Sequence, residues 1–438
     1  MVTNHALLAI AATESLPLLP EHQAVIIDEA HELVDRITSA VTVELSANEV
    51  HRAFVRASSH VDIQSAEQAE GAVQALRDSL LDQDAGTYSA LPASVTLALT
   101  LVRDASHQLI TALGGRAEGS DETALAKRQI ARAGIEEVHS AAGAFLGRTE
   151  RDVVWITQPE KREPSLFLAP LSVEEVIGTA VVGERSAVFT SATLTVGGGF
   201  GPAHTAFGLD SHRTQHLDVG SPFDYASQGI LYVAAHLPAP GRDGIAMEAL
   251  DELAELIEAA EGRTLALFSS WRGVERASEY LNVRLSDAYP LLVQQRGDAV
   301  APLIAEFTEV PSSVLLGTIS LWQGVDVTGA SCIQVIIDRI PFSHPDDPLA
   351  SARSNAADAS GGSGFLDVSV PRAATMMAQG AGRLIRSETD RGVVSVLDSR
   401  LANARYGNTI RKSMPPLWFT TDSAVVKTSL SRLAADSS

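Results

Sequence analysis

Residues 24 to 31 read AVIIDEAH, from Ala24 to His31. An apolar run ending in paired carboxylates is how a buried parallel strand delivers acids to the carboxyl edge of an α/β sheet, where nucleotides and their metals bind. In that setting Asp28 is placed to hold Mg²⁺ and Glu29 to orient or deprotonate an attacking water. His31 then reports the state of the site to a neighbouring element. The same letters also suit a strand-to-helix turn with acids at a helix N-terminus. No glycine loop of the G-x-x-x-x-G-K-[ST] kind, which cradles phosphates, occurs in the sequence. The stretch therefore supplies the hydrolytic half of a nucleotide site without the gripping half.

Around it lie 438 residues, 45% of them hydrophobic, enough for two or three domains with cores of their own. Cys332 is the single cysteine, which excludes a disulfide framework and any cysteine-ligated zinc or iron–sulfur site within these residues. It reads as a small core residue. The net charge of −21 argues against broad adhesion to nucleic acid, because phosphate contacts need Lys and Arg. Any nucleic-acid path must be a local groove. Neither an apolar run long enough to span a membrane nor a basic, then apolar, leader is present, so the chain is expected to be cytosolic, with no membrane partner.

The pattern from Val25 to Glu29 is strand then turn. Between Pro20 and Pro159 there is one proline, Pro92, and segments such as AEQAEGAVQALRDSLL and ETALAKRQIARAGIEEVHSAAGAFL space their apolar residues helically. Residues 36 to 150 thus read as a helical insertion. DVVWIT and SLFLAPL then read as strands, SVEEVIGTAVV as a short helix and SAVFTSATL as a buried strand. From Gly229 a second alternation begins. ILYVAAHL, TLALFSS, PLLVQQ, SVLLGT, CIQVIID and GVVSVLD are apolar strands, most of them separated by amphipathic segments such as AMEALDELAELIEAA and SWRGVERASEYL. Repeated βα units imply a mainly parallel, doubly wound sheet. Ser354 to Gly364, SNAADASGGSG, reads as a small-residue loop.

Three further constellations carry chemistry. A helix from Met376 to Arg386 would place Gln379, Arg383 and Arg386 at i, i+4 and i+7, presenting an amide and two guanidiniums on one face, as a polyphosphate requires. A solvated arginine face paired with Glu388 or Asp390 is the competing reading. Thr190-Ser191-Ala192-Thr193 closes an apolar strand, where Ser191 and Thr193 either bond the acidic loop and relay its occupancy or cap the next helix. GTISLWQGVDVTG, Gly317 to Gly329, has glycines where backbone must approach something closely. There Thr318 and Ser320 are candidates for a nucleic-acid phosphate, and Gly324 and Asp326 for the ribose or attacking-water region. Trp322 suits burial as well as base stacking.

In this order, DEAH, TSAT, GTISLWQGVDV and QGAGRLIR resemble motifs II, III, V and VI of superfamily 2 helicases. TNHALL at residues 3 to 8, SLWQGVDVTG, IIDRIPFSHPDDP and QGAGRLIRSETDRGVVSVLDSR narrow the resemblance to the DinG branch of the XPD-like DNA helicases, from about Val2 to Tyr406. The resemblance implies an α/β protein with two RecA-like parallel-sheet domains, the first incomplete, and a helical arch insertion. Residues 1–35 and 151–228 are the expected first domain, 36–150 the arch and 229–438 the second domain. It further implies ATP and Mg²⁺ between the two domains, with Asp28, Glu29, His31, Gln379, Arg383 and Arg386 in the catalytic set. Gly324, Asp326, Ser191 and Thr193 stand beside the nucleotide. Thr318, Ser320, Ser270 and Trp271 are placed on single-stranded or forked DNA.

Two departures qualify this. In the resembled family a Gly-Lys-Thr loop lies well upstream of DEAH, and the cysteines of a [4Fe–4S] cluster come just before TNHALL. Neither occurs here, so the cluster is expected only in a full-length relative. A lesser departure is Gln323, where the family commonly carries Glu. The chain is expected to be the carboxyl-terminal portion of a longer helicase that needs its amino-terminal segment and is inactive alone. The rival expectation is a non-catalytic remnant that binds DNA or a protein partner through the second RecA-like domain. An RNA helicase is disfavoured by the branch-specific segments.

Overall fold

The computed structural model describes residues 1–13, 18–114, 122–241, 244–285, 288–318, 321 and 331–436. The first half runs α1 (His5–Thr13), β1 (Ala24–Ile27), α2 (Leu33–Val41), β2 (Val43–Ser46), α3 (Ala47–Ser58), α4 (Ile63–Leu81) and β3 (Gly86–Tyr88). It continues with α5 (Ala93–Leu113), α6 (Glu122–Leu146), β4 (Asp152–Thr157), β5 (Ser165–Pro170), α7 (Glu174–Val176), β6 (Ser186–Phe189) and α8 (Gly201–Phe207).

β1 and β6 pair in parallel, with Ile27 beside Phe189. One face of this two-stranded sheet packs on Leu8, Leu33, Ile37, Ile177 and Phe207. The other is open: Ile26 is 74% and Val188 53% exposed. From the sequence both strands read as buried. The described residues cover one face only, so every second apolar side chain meets solvent.

β2, β5, β4 and β3, in that spatial order, form an antiparallel sheet. Its inner face shares one core with α3 to α6, built on Val50, Phe54, Leu76, Leu99, Phe145, Leu45, Ile156 and Leu168. The helical reading of residues 36 to 150 therefore needs correction. The stretch contains two strands, and β4 and β5, expected in the first RecA-like domain, join them. β4 and β5 are hairpin neighbours in antiparallel register, from Asp152 beside Pro170 to Thr157 beside Ser165, a geometry that a parallel sheet does not accept without a crossover.

The second half runs α9 (Tyr225–Gln228), β7 (Gly229–Val233), α10 (Met247–Ala259), β8 (Thr264–Phe268), α11 (Trp271–Arg284), β9 (Leu291–Val293), α12 (Val300–Glu309) and β10 (Val314–Thr318). After it come β11 (Gln334–Ile337), α13 (Pro348–Ala359), α14 (Val370–Ala381), β12 (Gly392–Val396), α15 (Arg400–Asn403), α16 (Gly407–Ser413), β13 (Trp418–Thr420) and α17 (Ser423–Asp436). The strands form one parallel sheet in the order β13-β7-β12-β11-β8-β10-β9. Helices cover both faces. One core gathers Phe307, Met377, Leu401 and Ile410; the other gathers Leu253, Ile257, Val274, Leu281 and Leu430. Each of the six expected strands is present. Half of the expected 354–364 loop is helix instead, because the Asp347 carboxylate accepts from Ala350 N and Pro348 opens α13, which then runs to Ala359.

Candidate active site

β1 ends at Ile27, and the chain turns at Glu29, whose φ of 47° and ψ of 43° are left-handed. A non-glycine residue held there costs roughly 1–2 kcal/mol, which surrounding bonds must offset. They do so from both sides. Ala30 N donates to Thr190 O at 3.0 Å and Thr190 N to Ile27 O at 2.9 Å, lacing the DEAH turn to the TSAT turn. His5 Nε2 donates to the Asp28 carbonyl at 2.8 Å, and Glu29 N donates to Asp28 Oδ1 at 3.0 Å. Both carboxylates consequently face solvent.

His31 Nδ1 lies 2.7 Å from Ser191 Oγ and 3.3 Å from Glu29 Oε2. Ser191 Oγ accepts from Thr193 N at 3.1 Å and stands 3.3 Å from Thr193 Oγ1. The hydroxyls therefore bond the acidic loop, while the next helix, α8, begins with no side-chain cap. Burial lowers the His31 pKa below the usual 6.5. Glu29 and Glu32 oppose that shift, and His5 and Arg383 reinforce it. Arg383 belongs to the second sheet unit, so its field reaches the DEAH turn across the cleft.

The arginines do not share a helical face. α14 stops at Ala381, with Gly382 as its cap, and Arg383 and Leu384 turn tightly by donating from their N atoms to Gly380 O and Ala381 O, both at 3.3 Å. Leu384 and Ile385 dive into the core at 3% and 2% exposure. That pull ends the helix and leaves Arg386 in an exposed loop. Asp390 fixes the loop, its Oδ2 accepting from Arg386 N and Ser387 N at 2.8 Å each. Gln228 Nε2 donates to the carbonyls of Ser387, Glu388 and Asp390 at 2.9, 3.2 and 3.2 Å. Gln379 remains on α14, half-buried.

Thr318 is buried at the end of β10, where Gln294 Oε1 accepts from its N at 2.9 Å and its Oγ1 at 3.3 Å. Gly317 beside it makes room for two side chains: a Cβ there would stand 2.0 Å from Leu321 Cδ1 and 2.8 Å from Gln294 Oε1, so both would have to shift. Ser270 caps α11 by accepting from Gly273 N at 3.1 Å. Trp271 starts that helix with the Arg296 guanidinium 5.9 Å from its ring. Ser320, Trp322, Gln323, Gly324 and Asp326 lie outside the described residues.

Sequence reading missed Gln228, Gln294 and two buried acids, Asp338 and Asp398, that end β11 and β12. Asp338 accepts from Ser269 N at 2.9 Å and Arg339 Nε at 3.2 Å, yet burial pushes its carboxyl up to about 6. Asp398 Oδ2 accepts from Arg400 Nη2 at 2.6 Å and Ile340 N at 3.0 Å. The signal was present, since each acid closes an apolar run.

Among the described residues no group of three or more His, Cys, Asp or Glu converges as a metal cage. Mg²⁺ takes one or two carboxylates and completes its shell with water and substrate phosphates. Asp28 presents one exposed carboxylate at the end of β1.

A two-stranded parallel sheet with exposed carboxylates at its edge, and a seven-stranded parallel sheet whose Arg383 biases His31, make up a RecA-like α/β architecture. Residues 253–417 match the family described as the helicase C-terminal domain. The chain is 45% identical over 444 residues to "ATP-dependent helicase DinG" of Mycobacterium tuberculosis, covering 99% of this chain and 66% of that protein. It is 37% identical over 259 residues to "ATP-dependent DNA helicase YoaA" of Haemophilus influenzae, covering 58% and 39%. The solved "Structure of S. tokodaii Xpd4" shares the fold at a TM-score of 0.61 and 13% identity, over 91% of this chain and 76% of that one. The chain belongs to the DinG-type helicases. It spans just under two thirds of the length of the mycobacterial relatives.

Proposed function

We propose that this chain carries the hydrolytic acids and cleft arginines of an ATP-dependent DNA helicase, while the phosphate grip comes from residues outside these 438. The supporting observation is the His31–Ser191 bond at 2.7 Å, with Arg383 of the other unit close enough to bias the same imidazole. In this reading Asp28 holds Mg²⁺ and Glu29 accepts the proton of the attacking water. Arg383 and Arg386 offset charge that develops on the transferred phosphoryl group. His31, Ser191 and Thr193 carry the state of the DEAH turn to the chain that leads toward the second unit. Single-stranded or forked DNA follows a local groove, since a net charge of −21 disfavours broad adhesion.

The test is Glu29→Gln in this chain joined to the amino-terminal segment of the mycobacterial relative. Turnover is expected to fall by roughly 10²–10⁴ while nucleotide binding persists, because Asp28 survives and proton acceptance does not. Turnover within tenfold of the parent removes Glu29 from that role.

A further inference from the structure

Arg353, on α13 of the second unit, reaches two other parts of the molecule at once. Its Nε donates to Leu171 O, the first carbonyl beyond β5, at 2.9 Å, and its Nη2 donates to Thr38 Oγ1 on α2 at 3.2 Å. α2 is the helix that leaves the DEAH turn, and Thr38 is buried in it at 5% exposure. α2 packs against β5 and α13 against β4, so the guanidinium enters a seam where the DEAH-bearing unit, the inserted module and the second sheet unit meet. Burial in the seam works against the charged guanidinium and Arg372 repels it, whereas Asp35 and Asp347 support it. A neighbouring pair, Arg372 Nη1 to Asp35 Oδ1 at 3.5 Å, spans the same two units but is largely solvent-exposed. It therefore holds weakly.

We propose that Arg353 is a positioning residue that locks the inserted module and the second unit to the helix following the DEAH turn, so that movement of the insertion is felt as movement of the cleft. The planar fork matters: two different nitrogens point at two acceptors on separate units, a geometry a lysine ammonium cannot reproduce. Thr38 is ten residues beyond Asp28, on the helix that leaves the DEAH turn, so any shift of α13 against α2 is passed toward that turn. The proposal goes beyond the helicase reading and does not depend on turnover.

The test is distance measurement by pulsed electron paramagnetic resonance on the full chain, with nitroxides at Ser39→Cys and Glu279→Cys, and separately at Gln68→Cys and Glu279→Cys. Cys332 is buried and its thiol is pushed up to about 12, so it resists labelling. Arg353→Ala and Arg353→Lys should broaden both distributions toward longer distances, with little change in thermal midpoint for the Lys variant. Arg372→Ala should leave them as in the parent. If Arg353→Ala does not fold, Thr38→Val removes one acceptor at nearly constant volume and should broaden the Ser39–Glu279 distribution alone. Distributions that superimpose on the parent in Arg353→Lys and Thr38→Val, or equal broadening in Arg372→Ala, would overturn the proposal.

Discussion

The tetrapeptide Val-Ile-Ile-Asp occurs twice, at residues 25 to 28 and 335 to 338, and the two copies have opposite fates. Both end a parallel strand at its carboxyl edge. In the second, Val335, Ile336 and Ile337 are at most 1% exposed, and Asp338 is buried under Ser269 and Arg339. In the first, Ile26 is 74% exposed and Asp28 faces solvent. The letters and topological position are the same, so neighbours decide the chemistry. β11 has strands on both sides and helices on both faces, and its acid holds loops in place. β1 has one neighbouring strand and one covered face, and a left-handed Glu29 swings the acids outward, free to meet a ligand.

The largest effect that would break this contrast is on turnover. Arg383→Ala, in the form joined to a phosphate-gripping segment, should lower ATP turnover by up to ~10³, as loss of a transition-state guanidinium does, with almost no change in unfolding midpoint. A large loss of stability instead would place Arg383 in the scaffold with Asp338. Next come matched strand substitutions: Ile336→Thr should cost about 3 kcal/mol by calorimetry, from lost burial and a buried hydroxyl, whereas Ile26→Thr should cost less than about 0.5 kcal/mol. Equal costs would mean that the open face of β1 is covered in solution.

The acids themselves offer a pH test. Asp338 has its carboxyl raised from 3.8 to about 6 by burial, so the folded chain binds more protons than the unfolded one between those values. Its contribution to stability is fully present below about 3.8 and is lost as pH rises through about 6. Asp338→Asn should flatten that stretch of the stability curve. The smallest expected effect is on His31. Its nuclear magnetic resonance titration should lie below the ordinary 6.5, and lower still in Glu29→Gln, which removes the nearest charge favouring protonation. An unshifted midpoint would mean that His31 is less buried than described.

Much of this was legible in the sequence where the physics is local. Short apolar runs between amphipathic stretches marked all six expected strands of the second sheet. β13 escaped because three half-exposed residues after two prolines carry no period. Pairing is non-local, so β4 and β5 could be read as strands but not assigned to the antiparallel sheet. Asp28, Glu29, His31, Ser191 and Thr193 stood out because apolar runs end at them, and the structure brings them within one laced pair of turns. The end of α14 was harder: helical spacing continues through Arg386, but burial of Leu384 and Ile385 ends the helix sooner. Gln228, Gln294 and Arg353 left no local signal, since they act on distant partners, 159, 24 and 182 positions away.

DNA-stimulated ATP turnover by purified residues 1 to 438, measured beside the same chain joined to the amino-terminal segment of the mycobacterial relative, decides whether grip and hydrolysis are divided as proposed. Three phosphates must be compensated, which helicases of this class do with a glycine loop, a helix N-terminus and a lysine, and this sequence contains no such loop. The chain alone should show background turnover and no unwinding, and the joined form should hydrolyse ATP in a DNA-dependent way. Clear turnover by the chain alone, lost in Glu29→Gln, would show that these residues grip phosphate themselves and would contradict that division.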